Sequence, residues 1–364
     1  MKRVESLLVT EETIQNVVKL TGMVQECESL AVLMYGAPDP DAISSAMALR
    51  EIIAQRSGLA RCVFVSTQPF IRHQNLEFAR SIGVEIQLLE KTDLHDYRLV
   101  AVVDSQPSFF GESLDGIRPQ IVLDHHPRTP GWRAELEDVR RGYGSLSTIM
   151  TGYLLAAHVR IPRILYTALL YGIRSDTNNF ERDVRLEDIG AYYLNFSRAN
   201  RELIRRIEMN QIPERYLKYF DFAYRHKHRQ REKIFSFLDT VENADVCVQV
   251  ADFFLRIIQI YFVVVAGIVK DRLVIVFRGD GYRMNCGAIA SRTFGRLGSA
   301  GGHRSAARAE IPLEVLKESL AGDLSYESVE HFLLRALEVK RQYSRGGEKK
   351  KRGDETPPFF MDRF

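Results

Sequence analysis

The sequence predicts an α/β protein: a parallel, doubly wound first domain and a smaller α/β second domain, joined by a helical linker. In the first half, short apolar runs rich in β-branched residues alternate with helical patterns. Over residues 187–235 the chain becomes charged and helical, without strand character. Three β-rich runs then follow: VCVQVADFF, YFVVVAGIV and RLVIVFRGD. We therefore expect domains at 1–186 and 236–341, with the linker at 187–235 between them.

Each element of the first domain has its own pattern. Spaced apolar positions predict an amphipathic helix over 11–28. Runs of Val, Ile, Leu and Phe then alternate with helical periodicity, which predicts strands at 30–35, 61–65, 85–89, 98–103 and 120–123, and helices at 42–55, 76–82, 145–157 and 163–173.

The second domain has fewer elements. Its patterns predict helices near 286–294 and 313–320 and a last helix at 326–341. Residues 342–364 contain Gly, Pro and charge without periodicity, so we expect a disordered basic tail.

Composition narrows the class of protein. The chain has 364 residues, 45% hydrophobic and 27% charged, which is ordinary for a globular protein with two domains. A net charge of +3 is too small to indicate nucleic-acid binding by itself. Four widely separated cysteines, without a CxxC pair, favour reduced thiols over disulfides or a zinc site. The N-terminus has acids where a signal peptide is apolar, and the longest uncharged apolar run, 257–269, is too short to span a bilayer. We expect a cytoplasmic protein with no membrane partner.

Acidic and imidazole side chains follow several predicted strands or helices. Asp39 and Asp41 come after the apolar run 30–34, Asp104 after LVAVV, His125 and His126 after the run 121–123, and Asp176 after ALLYGIRS. Open α/β sheets place ligands at the carboxyl ends of their strands. Carboxylates and imidazoles gathered there would repel one another without a cation, so a pair of divalent metals is the simplest arrangement that holds them together.

The same residues carry a family resemblance. The motifs PDPDA, VVDS, DHHP and GIRSDTNNF, followed near the end by GSAGGHRSAA, occur in one order along the chain. Over about residues 15–335 the chain resembles the DHH phosphoesterases with a DHH-associated C-terminal domain, and within them the nanoRNase/pAp-phosphatase type. The resemblance implies a hydrolase with two Mn²⁺ or Mg²⁺ ions. By motif position the metal ligands would be Asp39, Asp41, Asp104, His125 and Asp176.

The resemblance also assigns roles around the substrate. Asp104 would bridge the two metals, so that Asp104, His125 and His126 form the catalytic group, with His126 also directed at the substrate phosphate. In the glycine-rich segment, Gly301, Gly302 and His303 would contact the substrate, with the backbone NH groups of a following helix start favouring an anion. Two arginines of the second domain, Arg278 and Arg292, are further candidates for phosphate binding, although either could be an ordinary surface charge.

The chain departs from the family pattern at two positions. The residue three before the Pro of the first motif is usually His, and here it is Tyr35. A protonated phenol is a poor ligand for Mn²⁺, so we expect a weaker first metal site. In the glycine-rich segment Ala300 replaces a glycine that many members carry.

The predicted function is metal-dependent hydrolysis of short oligonucleotides or of a small nucleotide phosphate such as pAp. A cyclic-dinucleotide phosphodiesterase stays open, and so does a nucleotide-binding regulator in which Tyr35 marks weakened catalysis. A RecJ-type exonuclease is less favoured because no additional oligonucleotide-binding barrel is evident. A family II pyrophosphatase is less favoured because that family lacks the GGH segment. Whether the protein is a homodimer stays open.

Overall fold

The computed structural model describes residues 2–114, 116–182, 184–209 and 212–338. It divides into two compact units, with the boundary between Arg215 and Tyr216. The predicted tail at 342–364 and the end of the helix predicted at 326–341 lie outside the described residues.

The first unit is built on a six-stranded sheet in which every neighbouring pair is parallel. Its strands are β1 (Ser29–Met34), β2 (Arg61–Ser66), β3 (Ile86–Leu88), β4 (Leu99–Val103), β5 (Ile121–Asp124) and β6 (Leu136–Val139). Its helices are α1 (Lys2–Leu8), α2 (Glu11–Met23), α3 (Pro40–Arg56), α4 (His73–Ser81), α5 (Leu146–Ala156), α6 (Arg163–Asp176), α7 (Leu186–Phe196) and α8 (Arg201–Met209).

The central strands are buried on both faces, as their nearly continuous apolar sequences require. The strand order is β3-β2-β1-β4-β5-β6, so the order reverses between β1 and β4. Such a reversal opens a crevice at the carboxyl ends of the two strands, where doubly wound sheets bind their ligands. The segments that follow β1 and β4 are those that carry Asp39, Asp41 and Asp104.

The second unit has a mixed six-stranded sheet. Its strands are β7 (His228–Gln230), β8 (Lys233–Thr240), β9 (Phe262–Val269), β10 (Arg272–Gly279), β11 (Ser299–Gly302) and β12 (Ala306–Pro312), in the order β11-β12-β10-β9-β8-β7. Only the β8–β9 pair is parallel among these described strands. Its helices are α9 (Leu217–His226), α10 (Ala244–Leu255), α11 (Cys286–Phe294), α12 (Leu313–Ser319) and α13 (Tyr326–Ala336).

The predicted α/β class is confirmed, but three local predictions are wrong. The run VCVQVADFF lies in helix α10, because Asn243 accepts from the backbone NH groups of Asp245 and Val246 and so caps a helix there. The helical linker was expected to continue to 235, yet helix α9 ends at His226 and strands β7 and β8 follow. The segment KIFSFLDT belongs to β8, where its apolar residues pair with β9.

The third wrong prediction concerns the glycine-rich segment. It was expected to be a loop that leads into a helix, but it forms β11 and is followed by β12, with which it pairs as an antiparallel hairpin. Strand β6, with the sequence LEDV, was not predicted at all, because only Leu136 and Val139 are apolar in it.

Among the residues that the structure describes, no helix combines the length and the apolarity needed to cross a membrane.

Candidate metal centre

The loop after β1 places two carboxylates at the start of α3. Asp39 is the N-cap: its Oδ1 accepts from the NH group of Ala42 at 2.9 Å, and Pro40 follows as the first helical residue. Asp41 is the second residue of α3 and is fully buried. Its two oxygens accept from Leu146 N at 2.7 Å and Ser147 N at 2.8 Å, at the N-terminus of α5. The carboxylate of Asp41 is therefore fixed between two helices.

Asp104 follows β4 directly, with its NH group donating to Leu123 O of β5 at 2.9 Å. Its φ of 53° lies in the left-handed region, which Asp tolerates better than most residues. This backbone conformation turns the chain sharply at the end of the strand. The side chain is only 9% exposed.

The two histidines of the DHH motif have different surroundings. His125 is 9% exposed, and its Nδ1 lies 2.9 Å from the carbonyl oxygen of Tyr143. That contact directs Nε2 toward the acids. His126 is 46% exposed, and its Nδ1 lies 2.8 Å from Oδ1 of Asp124. Asp124 is fully buried, and its other oxygen accepts from Gln106 Nε2 at 2.7 Å.

The predicted ligands meet around Nε2 of His125. This atom lies 3.1 Å from Asp176 Oδ2, 3.3 Å from Asp104 Oδ1 and 3.9 Å from Asp41 Oδ2. Two groups of side chains, each with ligand atoms within 4.8 Å of one another, share His125: one contains Asp104 and His126, the other Asp41 and Asp176. Asp39 stands beside the cluster as the cap of α3, and its charge acts on Asp41 and Asp104.

The pKa values of Asp41, Asp104 and His125 are all raised, because several carboxylates are buried close together. Burial, followed by the charge of Asp176, raises the pKa of Asp41 to about 7. Burial, followed by the charge of Asp41, raises the pKa of Asp104 well above its usual range. Burial by itself lowers the pKa of His125, but contact with Asp104 and Asp176 raises it to about 12. A proton on His125 thus supplies the positive charge that the acids require.

The same acids also fit a metal ion in place of that proton. Asp104 Oδ1 and His125 Nε2 are buried and lie 3.3 Å apart as an ion pair, but neither atom makes a hydrogen bond of good geometry among the described residues. Buried polar atoms normally make such bonds, so a ligand that both atoms can contact would satisfy them better than they satisfy each other. Carboxylate oxygens with one imidazole are a donor set suited to Mn²⁺ or Mg²⁺. The residues therefore fit a divalent metal centre.

Tyr35 does not join this cluster. Its side chain is 49% exposed, and its ring packs against Phe109 at 5.7 Å and, edge-on, against Phe110 at 5.5 Å between centroids. The residue that stands where the family has a His therefore belongs to an aromatic group at the carboxyl ends of β1 and β4.

The candidate residues of the second unit lie on β10, on α11 and in the hairpin of β11 and β12. His303 is exposed at the β11–β12 turn, where its NH group donates to Ala306 O at 2.7 Å. Gly302 precedes it with a φ of 142°, and a Cβ there would lie 2.5 Å from the backbone of Ala307, so only glycine fits this turn. The neighbouring Gly301 is paired with Arg308 in the same hairpin.

The two arginines differ in their contacts. Arg278 donates from Nε to Asp252 at 2.7 Å and is only 17% exposed, so it has a partner within its own unit. Arg292 is exposed on α11 and lines a cavity of about 830 Å³ together with Lys233 and Tyr261. Roles for Gly301, Gly302, His303, Arg278 and Arg292 in substrate binding stay predictions.

Sequence reasoning missed the residues that hold the ligands in place. Gln106 binds Asp124, Thr129 and the Pro127 carbonyl, and so fastens the loop that carries His126. Gln106 lies two residues after Asp104, a position that suggests proximity to the site but no particular contact. The start of α5 and Asp188, considered below, were likewise not identified as part of the site.

Comparison with known proteins confirms the fold. No family model matches the chain. An uncharacterized protein of Methanocaldococcus jannaschii is 32% identical over 292 residues, covering 79% of this chain but 59% of that protein, so the match spans about three fifths of the relative's length. An exopolyphosphatase-related protein from Bacteroides fragilis has a TM-score of 0.67 at 16% identity, over 91% of this chain and 97% of its own. RecJ from Thermus thermophilus, solved with Mn²⁺, has a TM-score of only 0.46 at 13% identity, over 92% of this chain and 56% of that chain.

The chain therefore has the two-unit α/β fold of the exopolyphosphatase-related protein, as the resemblance to the DHH phosphoesterases leads one to expect. Within that fold, three of the motif acids, Asp41, Asp104 and Asp176, form one cluster with His125 at the switch point of a parallel sheet.

Proposed function

We propose that the protein is a metal-dependent phosphoesterase of the DHH type that hydrolyses short oligonucleotides or small nucleotide phosphates such as pAp. The observation that carries the proposal is the convergence of Asp41, Asp104 and Asp176 on Nε2 of His125. One proton on a single imidazole cannot neutralise three carboxylates, whereas divalent ions bound between them can.

Four side chains of the cluster are suited to bind the metal ions. Asp41, Asp104, His125 and Asp176 would hold two divalent ions, with Asp39 beside them and Asp104 placed between the two groups that share His125. Bound ions of this kind lower the pKa of a coordinated water and neutralise charge on phosphoryl oxygens. His125 keeps its Nδ1 proton on Tyr143 O, which leaves Nε2 as the ligand atom.

His126 is the side chain best placed to meet the substrate. It is the more exposed of the two histidines, and its Nδ1 faces the buried carboxylate of Asp124. Although burial by itself raises the pKa of Asp124, the hydrogen bond from His126 lowers it below its usual value, so Asp124 remains a carboxylate beside the imidazole. With Nδ1 on Asp124, a cationic imidazole at this position would donate from Nε2 to a phosphate oxygen or to a leaving-group oxygen.

The aromatic group after β1 and β4 supports a nucleotide over an inorganic substrate. Tyr35 and Phe109 are both partly exposed, and their rings stand 5.7 Å apart at the strand ends that carry the acids. Exposed aromatic rings stack on nucleobases, at about 1–3 kcal/mol per base. An inorganic phosphate chain offers nothing for such rings to contact.

A substrate panel tests the proposal. The full chain is incubated with pAp, pApA, cyclic di-AMP and inorganic polyphosphate, each with Mn²⁺, with Mg²⁺ and with a chelator. We expect Mn²⁺-dependent release of AMP from pApA or of phosphate from pAp, and Asp104→Ala serves as the inactive control. Turnover of cyclic di-AMP alone would assign the cyclic-dinucleotide activity instead. Binding of these nucleotides without any turnover would identify a regulator and refute the enzyme.

A further inference from the structure

One short segment contacts two of the metal ligands at once. We call residues 143–147, which run from the loop after β6 into the first turn of α5, the clamp segment. The carbonyl oxygen of Tyr143 lies 2.9 Å from Nδ1 of His125. The NH groups of Leu146 and Ser147 donate to the two oxygens of Asp41 at 2.7 and 2.8 Å. The position of the clamp segment therefore sets the orientation of both ligands.

A buried carboxylate from another helix holds the clamp segment. Asp188, in the first turn of α7, is fully buried. Its Oδ2 accepts from Gly144 N at 2.9 Å, in the middle of the clamp segment, and its Oδ1 accepts from Thr148 Oγ1 at 2.6 Å, immediately after it. Buried carboxylates are costly unless hydrogen-bonded, so both contacts resist displacement.

Capping of α7 does not explain these contacts. Asp188 also accepts from Arg185 N at 2.8 Å, which completes a capping box at the start of its own helix. That bond is the only one of the three that serves α7. The other two bonds link α7 to the clamp segment and to α5, and the cap of α7 does not need either of them.

We propose that Asp188 is a positioning residue for the metal centre, acting through the clamp segment on His125 and Asp41. The inference rests on the proposed function, since it assigns a purpose to the orientation of two metal ligands. Residues that orient metal ligands typically change metal affinity by about 10–100-fold when they are replaced.

Asp188→Ala tests the inference because it removes both carboxylate oxygens. Gly144 N and Thr148 Oγ1 then lose the acceptor that links them to α7. The affinity for Mn²⁺ is measured by calorimetry, and thermal unfolding is followed in the same samples. We expect affinity to fall by about 10–100-fold.

Asn195→Ala is the matched control. Asn195 lies on the same helix, is fully buried, and donates to Thr151 Oγ1 of α5 at 2.9 Å and to Ala191 O at 2.8 Å. It links the same two helices, but its hydrogen bonds go to residues outside the clamp segment. It should lower the melting temperature while keeping wild-type affinity for Mn²⁺. Equal losses of affinity in both variants, or wild-type affinity in Asp188→Ala, would show that Asp188 is only structural.

Two further measurements keep the outcome interpretable. Thr148→Val removes one bond to Asp188 and leaves the bond from Arg185 N that caps α7, so it replaces Asp188→Ala if that variant does not fold. The Nδ1 proton of His125, followed by NMR in the metal-free protein, should exchange faster with water in either variant than in wild type. If wild-type protein binds no Mn²⁺ and hydrolyses nothing, the proposed function fails, and the exchange rate still decides whether Asp188 positions His125.

Discussion

Gly172 of α6 lies where α3 and α5 approach the metal centre, and replacing it tests how tightly that region is packed. A Cβ at this position would lie 2.5 Å from Ser44 Oγ, still closer to Ser147 Oγ, and 3.1 Å from the backbone oxygen of Pro40. Ser44 and Ser147 are themselves hydrogen-bonded at 2.6 Å, so neither can withdraw without cost. Overpacking of this kind costs about 1–3 kcal/mol.

Ala has a higher helix propensity than Gly, and this difference offsets up to about 1 kcal/mol of the destabilisation. We therefore expect Gly172→Ala to destabilise the first unit by roughly 1–2 kcal/mol, which corresponds to a fall of roughly 2–8 °C in melting temperature for a unit of this size. Because Ser147 N and Pro40 flank Asp41, the affinity for Mn²⁺ should fall as well. Differential scanning calorimetry and a Mn²⁺ titration measure the two effects.

Gly22→Ala is the control for this prediction. Gly22 lies in helix α2 of the same unit, and a Cβ there meets no atom within 4 Å. It should be neutral or stabilising by up to about 1 kcal/mol. Adding Ser44→Ala and Ser147→Ala to the Gly172 variant removes both crowded oxygens and should restore part of the stability. A Gly172→Ala protein that melts like the Gly22→Ala protein would refute the packing argument.

Three further predictions concern the dependence of stability on pH, the weaker metal site and the second unit. In the metal-free protein, the raised pKa of Asp41 means that the folded state binds more protons than the unfolded state between pH 4 and about 7. The free energy of unfolding should therefore fall by up to ~4 kcal/mol as the pH rises through this interval. Urea unfolding at pH 5 and pH 7.5 measures this fall, which should be smaller in Asp41→Asn. The raised pKa of His125 acts in the same direction at higher pH, because its contribution is full below about pH 6.5 and is lost as pH rises toward 12. Tyr35→His should strengthen the weaker of two unequal Mn²⁺ sites, and a calorimetric titration that finds two equally tight sites in wild type would contradict this. His303→Ala should raise KM or lower kcat for dinucleotides without changing the Mn²⁺ content, whereas loss of metal in this variant would contradict a substrate role.

The alternation of apolar runs and helical patterns was sufficient to predict the parallel sheet. Strands such as β1 and β4 are buried on both faces, and their sequences show it as unbroken runs of Val, Leu and Ala. Strand β6 was missed because its two polar residues, Glu137 and Asp138, form ion pairs with arginines that no local pattern reveals. Helix α10 was missed because its apolar residues are β-branched or aromatic, and only the cap at Asn243 and the burial of one face favour a helix.

The candidate metal ligands could be predicted from the sequence, but the residues that orient them could not. Asp39, Asp41, Asp104, His125 and Asp176 stand at strand or helix ends, where the topology of the fold brings them to one edge of the sheet. Asp188 lies 63 residues after His125 in sequence, and nothing local distinguishes it from an ordinary helix cap. Its contact with Gly144 depends on how α7 packs against α5, which only the three-dimensional structure shows.

The most direct test of the account is crystallography of the full chain soaked in Mn²⁺, with data collected at the manganese absorption edge. We expect two anomalous peaks in the first unit, both near Asp104, one next to His125 and His126 and the other next to Asp41 and Asp176. Neither peak should appear in an Asp104→Ala crystal. A map without manganese at this cluster, from protein that binds its nucleotide substrates, would contradict the metal centre on which the account is built.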